Sequence, residues 1–73
     1  MSGADAFLRV PEGYEWGIAR SSRNQARPVP HIIGPDVQMV CSGGLGLYQG
    51  TRADKRCPRC LRWLREWHDE EDQ

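Results

Sequence analysis

The clearest pattern of apolar and polar positions lies near the C-terminal end of the chain and has the period of a helix. At about 100° per residue, one arc collects the apolar side chains and one histidine, namely Cys57, Cys60, Leu61, Trp63, Leu64, Trp67 and His68. The opposite arc carries arginine and glutamate. This pattern predicts an amphipathic helix from about residue 58 to 69. Pro58 suits its first turn, where a missing N–H costs nothing.

Alternation of apolar and polar residues predicts a first β-hairpin near the N-terminus. Residues 7–10 and 14–19 form two short β-prone runs on either side of a Pro-Glu-Gly turn. Tyr14, Trp16 and Ile18 alternate onto one face of the second run, as a half-buried strand requires. We therefore expect these two runs to pair.

A second hairpin is predicted in the middle of the chain. Residues 29–33 and 37–41 are rich in β-branched side chains and flank a Gly-Pro-Asp turn. The polar segment 21–28 before them ends in proline and is expected to be a loop. The glycine-rich residues after Cys41 predict a sharp chain reversal with a short strand at 45–48.

The fold class that follows is a small zinc-stabilised α+β domain, with N-terminal β-hairpins and one C-terminal helix headed by Cys-x-x-Cys. The chain has 73 residues, of which 38% are hydrophobic. Domains below roughly 70–80 residues usually need a metal, a disulfide or a partner to supply stability. We expect residues 1–5 to be disordered and residues 6–69 to form one zinc-binding domain. Residues 70–73 are expected to be a frayed acidic tail, because negative charges at the C-terminal end of a helix oppose the helix dipole.

No apolar run approaches the roughly 20 residues that a membrane span requires. The N-terminus also lacks a basic region followed by a long apolar stretch, which a secretory signal would have. We therefore expect a cytoplasmic protein without a membrane partner.

Three cysteines, Cys41, Cys57 and Cys60, carry the candidate chemistry. In a reducing compartment a cysteine pattern is more often metal-binding or catalytic than a disulfide framework, and an odd number fits poorly with a closed disulfide set. Structural zinc takes four ligands in a tetrahedron, drawn from thiolates and neutral histidine. A thioredoxin-type redox pair is the chemical alternative, although the residues before Cys57, TRADKR, do not read as the buried strand that such a motif usually follows.

The two histidines, His31 and His68, are the candidates for the fourth ligand. His68 lies eight residues beyond Cys60 on the predicted helix, a rise of about 12 Å, which one ion cannot easily bridge. Folding the second hairpin about its Gly-Pro-Asp turn instead places His31 opposite Cys41 or diagonal to it, about 5–8 Å away. We therefore predict one structural zinc ion bound by His31, Cys41, Cys57 and Cys60.

A site closed by four protein ligands is typical of structural zinc, since catalytic zinc keeps an open position. The sequence offers no Ser-His-Asp set, and Asp54 is the one carboxylate near the ligands. We therefore expect no catalytic residues, no enzymatic activity and no small-molecule substrate.

The region from His31 to Leu61 resembles short zinc-binding proteins of actinobacteria and of their phages and plasmids. The resemblance rests on a histidine, a strand that ends in cysteine, and a Cys-Pro-x-Cys-Leu element, here His31, Cys41, Cys57, Pro58, Cys60 and Leu61. It implies a finger similar to a reduced treble clef or zinc ribbon. The sequence CSGG after the first cysteine is a small departure from this pattern.

Charge is distributed unevenly, although the net charge is zero. Residues 1–65 hold ten basic and five acidic residues, and residues 66–73 hold five acidic and no basic ones. Arginine is the preferred residue for phosphate and guanine contacts, so one hypothesis is a nucleic-acid-binding regulator. Its contacts would be Arg20, Arg23 and Arg27 in the loop and Arg59, Arg62 and Arg65 on the helix. The acidic tail and a sequence pI of about 6.7 argue against it, and cations near the cysteines can instead offset a negatively charged zinc site.

The favoured hypothesis is an interaction or regulatory module that binds a protein partner. It uses the Arg/Trp helix surface, by which we mean Arg59, Arg62, Trp63 and Arg65. Tryptophan and arginine are enriched at binding hot spots, and Trp63 lies at the edge of the apolar arc. The alternative is that Trp16, Trp63 and Trp67 together form the small core.

Overall fold

The computed structural model describes residues 8–50 and 55–71, which contain three short strands and one α-helix. The strands are β1 (Glu15–Ala19), β2 (His31–Ile33) and β3 (Gly46–Leu47), and the helix is α1 (Pro58–Glu71). The strands form an antiparallel sheet in the order β2-β1-β3. The small α+β architecture is therefore confirmed. The predicted disorder of residues 1–5 falls outside the described residues.

The register of the sheet brings apolar residues from distant parts of the chain together. Trp16 lies opposite Ile32 in the β1–β2 pair, and Ile18 lies opposite Leu47 in the β1–β3 pair. A Cβ atom at Gly46 would overlap the side chain of Ile33, which is completely buried. A glycine at this position therefore lets the sheet close tightly over Ile33.

The Gly-Pro-Asp turn forms as predicted, but the strand after it is short. The N–H of Val37 donates to Gly34 O over 3.0 Å, and Ile33 and Met39 form an antiparallel bridge. Beyond Met39 the predicted strand over 37–41 is wrong, because the N–H of Met39 donates to Gly44 O and the chain turns back. Cys41 therefore lies in a turn, while β3 confirms the predicted short strand within 45–48.

The N-terminal segment also differs from the prediction. A turn is present where Pro-Glu-Gly predicts one, with Gly13 at φ 88°, a backbone conformation that glycine adopts without steric cost. Residues 8–10, however, form no strand. Their carbonyls bind side chains instead, since Trp16 Nε1 donates to Leu8 O over 3.0 Å and His68 Nε2 lies 3.0 Å from Arg9 O. The segment therefore packs against the core and the helix rather than pairing with β1.

The core lies between the sheet and α1. Ile32 packs with Cys57, Cys60 and Leu64, and half-buried side chains cover this cluster, including Val10, Tyr14, Trp16, Trp63 and Trp67. The buried side of the helix is the apolar arc that the sequence predicts, and the helix ends within two residues of the predicted position, the usual uncertainty of a helix end. Two cysteines are thus part of the core itself.

Candidate metal centre

Four different parts of the chain supply the side chains of the candidate metal centre. His31 is the first residue of β2, Cys41 lies in the turn that follows the Gly-Pro-Asp hairpin, Cys57 immediately precedes α1, and Cys60 lies in its first turn. One ligand atom from each of these residues lies within 4.8 Å of all the others. The structure therefore brings together the four residues that the sequence predicts.

The two distances from the histidine nitrogen are close to those of a single tetrahedral ion. His31 Nδ1 lies 3.4 Å from Cys41 Sγ and 3.9 Å from Cys60 Sγ. Since zinc–sulfur and zinc–nitrogen bonds are about 2.3 and 2.0–2.1 Å, neighbouring ligand atoms of a tetrahedral site lie about 3.5–3.8 Å apart. The cluster thus has the dimensions of a metal site, with Nδ1 as the nitrogen that faces the thiols.

Backbone hydrogen bonds hold the strand and the helix in this arrangement. The N–H of Ile32 donates to Cys60 Sγ over 3.3 Å, and the N–H of Cys57 donates to Pro30 O over 3.0 Å. The second bond ties the chain before α1 to the chain before β2. Because the N–H of Ile32 donates to Cys60 Sγ, it is not available to pair with Val40 across the hairpin. The N–H of Val40 still donates to Ile32 O. Such outer contacts orient metal ligands and tune their basicity.

The protonation of the ligands follows from their surroundings. Burial lowers the pKa of His31, so its ring is neutral at pH 7, the form that binds a metal. Burial raises the pKa of the Cys60 thiol to about 12. Burial also acts to raise the pKa of Cys57, but hydrogen bonds outweigh it and hold this pKa below the ordinary value. They come first from the backbone N–H groups of Cys60 and Arg59, and then from the side chains of Cys60 and Cys41. Three thiolates this close together would repel one another, and a bound cation removes that cost.

The arrangement suits metal binding better than thiol redox chemistry. Cys57 and Cys60 are both buried, and all three cysteines are free thiols. A redox pair needs access for its substrate, whereas these two sulfurs converge on a histidine and a third cysteine. Thiolate and imidazole ligands in a tetrahedron favour zinc among the common metals.

The second histidine lies apart from this cluster, as the sequence predicts. His68 is near the end of α1, and its ring packs against Trp67 with the ring centroids 4.8 Å apart. Its Nε2 lies 3.0 Å from Arg9 O. His68 thus joins the helix to the N-terminal segment.

The six arginines that the sequence singles out as contact residues are all exposed: Arg20, Arg23, Arg27, Arg59, Arg62 and Arg65. On the helix they share their face with exposed carboxylates, and Arg62 lies 3.7 Å from Glu66. Trp63 is half-buried and packs against Tyr14, with the ring centroids 5.2 Å apart. The Arg/Trp helix surface is therefore mixed in charge, with Trp63 partly withdrawn into the core.

Sequence reasoning missed two contacts near the centre. The guanidinium of Arg56 lies 5.1 Å from the centre of the Trp16 ring, a cation–π distance. Its Nε is buried without a hydrogen-bond partner among the described residues. The second missed contact is the bond from the Ile32 N–H to Cys60. Neither has a local signal, because each joins residues that only the fold brings together.

Within residues 8–50 and 55–71, no helix has the length and apolar character needed to cross a membrane. The resemblance to actinobacterial zinc proteins stays a prediction. Comparison of the chain with models of protein families, with curated proteins and with solved structures finds no match.

Proposed function

We propose that this chain is a small, non-enzymatic zinc-finger protein that acts as an interaction module. His31, Cys41, Cys57 and Cys60 hold one structural Zn²⁺, which cross-links the sheet, the turn and the helix. The observation that carries the proposal is the convergence of four ligand atoms within 4.8 Å of one another. Because four protein ligands complete a tetrahedron, no position is left for a substrate or a reactive water.

Native mass spectrometry tests the metal. The expected result is one zinc ion per chain, and loss of secondary structure when a chelator removes it. His31→Ala should weaken zinc binding by more than the 10–100-fold that loss of an outer-shell contact typically costs. His68→Ala is the matched control and should keep the stoichiometry. Loss of zinc binding in His68→Ala, together with unchanged zinc binding in His31→Ala, would refute this ligand set.

We assign binding of a protein partner to the Arg/Trp helix surface. Its support is an exposed face on which three arginines of the first turns are followed by carboxylates from Glu66 onwards, with an aromatic side chain at its border. Mixed charge of this kind complements a folded protein better than a uniform polyanion. Arg62→Ala and Trp63→Ala should each lose a captured partner in a pull-down, whereas Glu12→Ala, an exposed change elsewhere, should retain it. Retention of every partner by both helix variants would exclude this surface.

Nucleic-acid binding is the second candidate. One observation favours it, since Arg20, Arg23 and Arg27 are exposed and form no ion pair with any residue in the described ranges. Binding of DNA and RNA should then weaken steeply with salt, with a logarithmic slope of roughly −0.7 to −0.9 per phosphate contacted. Absence of binding at low salt would exclude this role.

A further inference from the structure

A groove of about 610 Å³ opens between the loop after β1 and the turn that precedes β3. Arg20, Arg23 and Asn24 line one side, and Met39 and Leu45 line the other. None of the predicted zinc ligands takes part. Its volume lies within the range of about 300–1,000 Å³ that is usual for ligand sites.

The lining of the groove combines positive charge with an apolar surface. Arg20 and Arg23 are exposed, and no carboxylate belongs to the residues that line it. Leu45 is 53% exposed, more than any other large apolar side chain in the described part of the chain. An exposed aliphatic side chain beside two arginines without ion pairs is a surface that an acidic and partly apolar segment would complement.

Backbone hydrogen bonds hold the two sides of the groove in place. The N–H of Arg20 donates to Leu45 O over 3.0 Å, and the N–H of Met39 donates to Gly44 O over 2.8 Å. A preorganised surface loses little conformational entropy when it binds. The groove is thus a formed feature of the sheet edge.

We propose that this groove binds an acidic peptide segment of a partner protein, with carboxylates paired to Arg20 and Arg23 and an aliphatic side chain packed on Met39 and Leu45. The inference rests on the proposed function and adds the chemistry of the partner. A peptide fits better than a nucleic acid, because binding of single strands relies on aromatic side chains that stack on bases. The residues that line this groove include no aromatic one.

Fluorescence anisotropy with the zinc-loaded full chain tests the proposal. The probe is a short labelled peptide in which leucine is flanked by aspartate and glutamate. One control peptide has asparagine and glutamine in place of the acids, and an oligothymidylate is the nucleic-acid probe. The acidic peptide should bind roughly tenfold more tightly than the neutral one. Arg23→Ala and Leu45→Ser should each weaken its binding by about fivefold or more.

Lys55→Ala, which removes an exposed positive charge outside both the groove and the Arg/Trp helix surface, is the matched control and should change the affinity by less than about twofold. Native mass spectrometry of each variant checks zinc loading, and if Leu45→Ser loses zinc, the result for Arg23→Ala decides. Equal affinity for the acidic and neutral peptides overturns the proposal. So does binding of the oligothymidylate, if Arg23→Ala weakens that binding and Leu45→Ser leaves it unchanged. Loss of peptide binding in Arg62→Ala alone also overturns it, while leaving the proposed function intact. A wild-type chain without zinc would instead refute the proposed function.

Discussion

Replacing Leu64 by alanine tests whether the core and the candidate metal centre stabilise each other. Leu64 is 1% exposed and packs with Ile32, Cys57 and Cys60 without contributing a ligand atom. Truncating a buried leucine to alanine costs about 2–5 kcal/mol. Because the described part of the chain fully buries few large side chains, we expect the metal-free protein to be largely unfolded. Zinc binding and folding are then one equilibrium.

A loss of about 2–5 kcal/mol of folding free energy should therefore appear as a loss of zinc affinity of roughly 30- to 4,000-fold. The zinc-loaded variant should still fold, because structural zinc binding supplies about 10–16 kcal/mol in small finger peptides. Competition with a zinc-binding dye measures the affinity, and far-UV circular dichroism measures folding with and without metal. Arg65→Ala, an exposed change one position further along α1, should stay within about twofold of the wild type.

The result that refutes this reasoning is specific. The reasoning fails if Leu64→Ala binds zinc with the affinity of the wild type and if the metal-free wild type is also folded. Folding would then be independent of the metal. The cluster of ligands would be a consequence of the fold and not a source of its stability.

Two further predictions concern the sheet and the protons of the site. Gly46→Ala should lower the free energy of unfolding of the zinc-loaded protein by about 1–3 kcal/mol in urea, because the added Cβ overlaps Ile33. Gly50→Ala, whose Cβ would meet no atom of the described residues within 4 Å, should have little effect, and equal losses would contradict the packing argument. Zinc binding at pH 7 should release protons and should strengthen as pH rises from about 6 to 8. The reason is that an ordinary thiol, with a pKa of about 8.5, is protonated at pH 7 in the unfolded metal-free chain and must lose its proton to become a metal ligand. Burial raises the pKa of Cys60 to about 12 in the fold, so without the metal this thiol would stay protonated there as well. Calorimetry in buffers of different ionisation heat measures this release, and a pH-independent affinity would exclude thiolate ligands.

The ligand set was accessible from the sequence because each step depends on short-range geometry. Pro58 at the start of a helix and the spacing of Cys57 and Cys60 place two sulfurs at one helix end. The Gly-Pro-Asp turn sets the hairpin register, and the bridge between Ile33 and Met39 lets the turn that follows carry Cys41 to within 3.4 Å of His31 Nδ1. Exclusion of His68 needed only the rise of a helix.

The predicted strands were less accurate, since strand pairing depends on competing partners. Residues 8–10 have the composition of a strand, yet their carbonyls bind Trp16 and His68. The ladder stops after Val40, whose N–H still donates to Ile32 O. The N–H of Ile32 donates to Cys60 Sγ, and the N–H of Met39 donates to Gly44 O, so Cys41 lies in a turn. Cys60 and His68 lie on the helix and Trp16 lies on β1, so nothing local to residues 8–10 or to the hairpin signals these partners.

The sequence by itself determined the helix, its buried face and the four candidate ligands, because helical periodicity and turn chemistry act over a few residues. The tertiary structure alone decided how charged and apolar side chains combine on the surface. It placed Arg56 over Trp16, withdrew Trp63 towards Tyr14, and joined Arg20 and Arg23 to Leu45 in one groove. These contacts join residues that are distant in sequence, and their pairing depends on which surfaces the sheet and helix leave open after the core has packed.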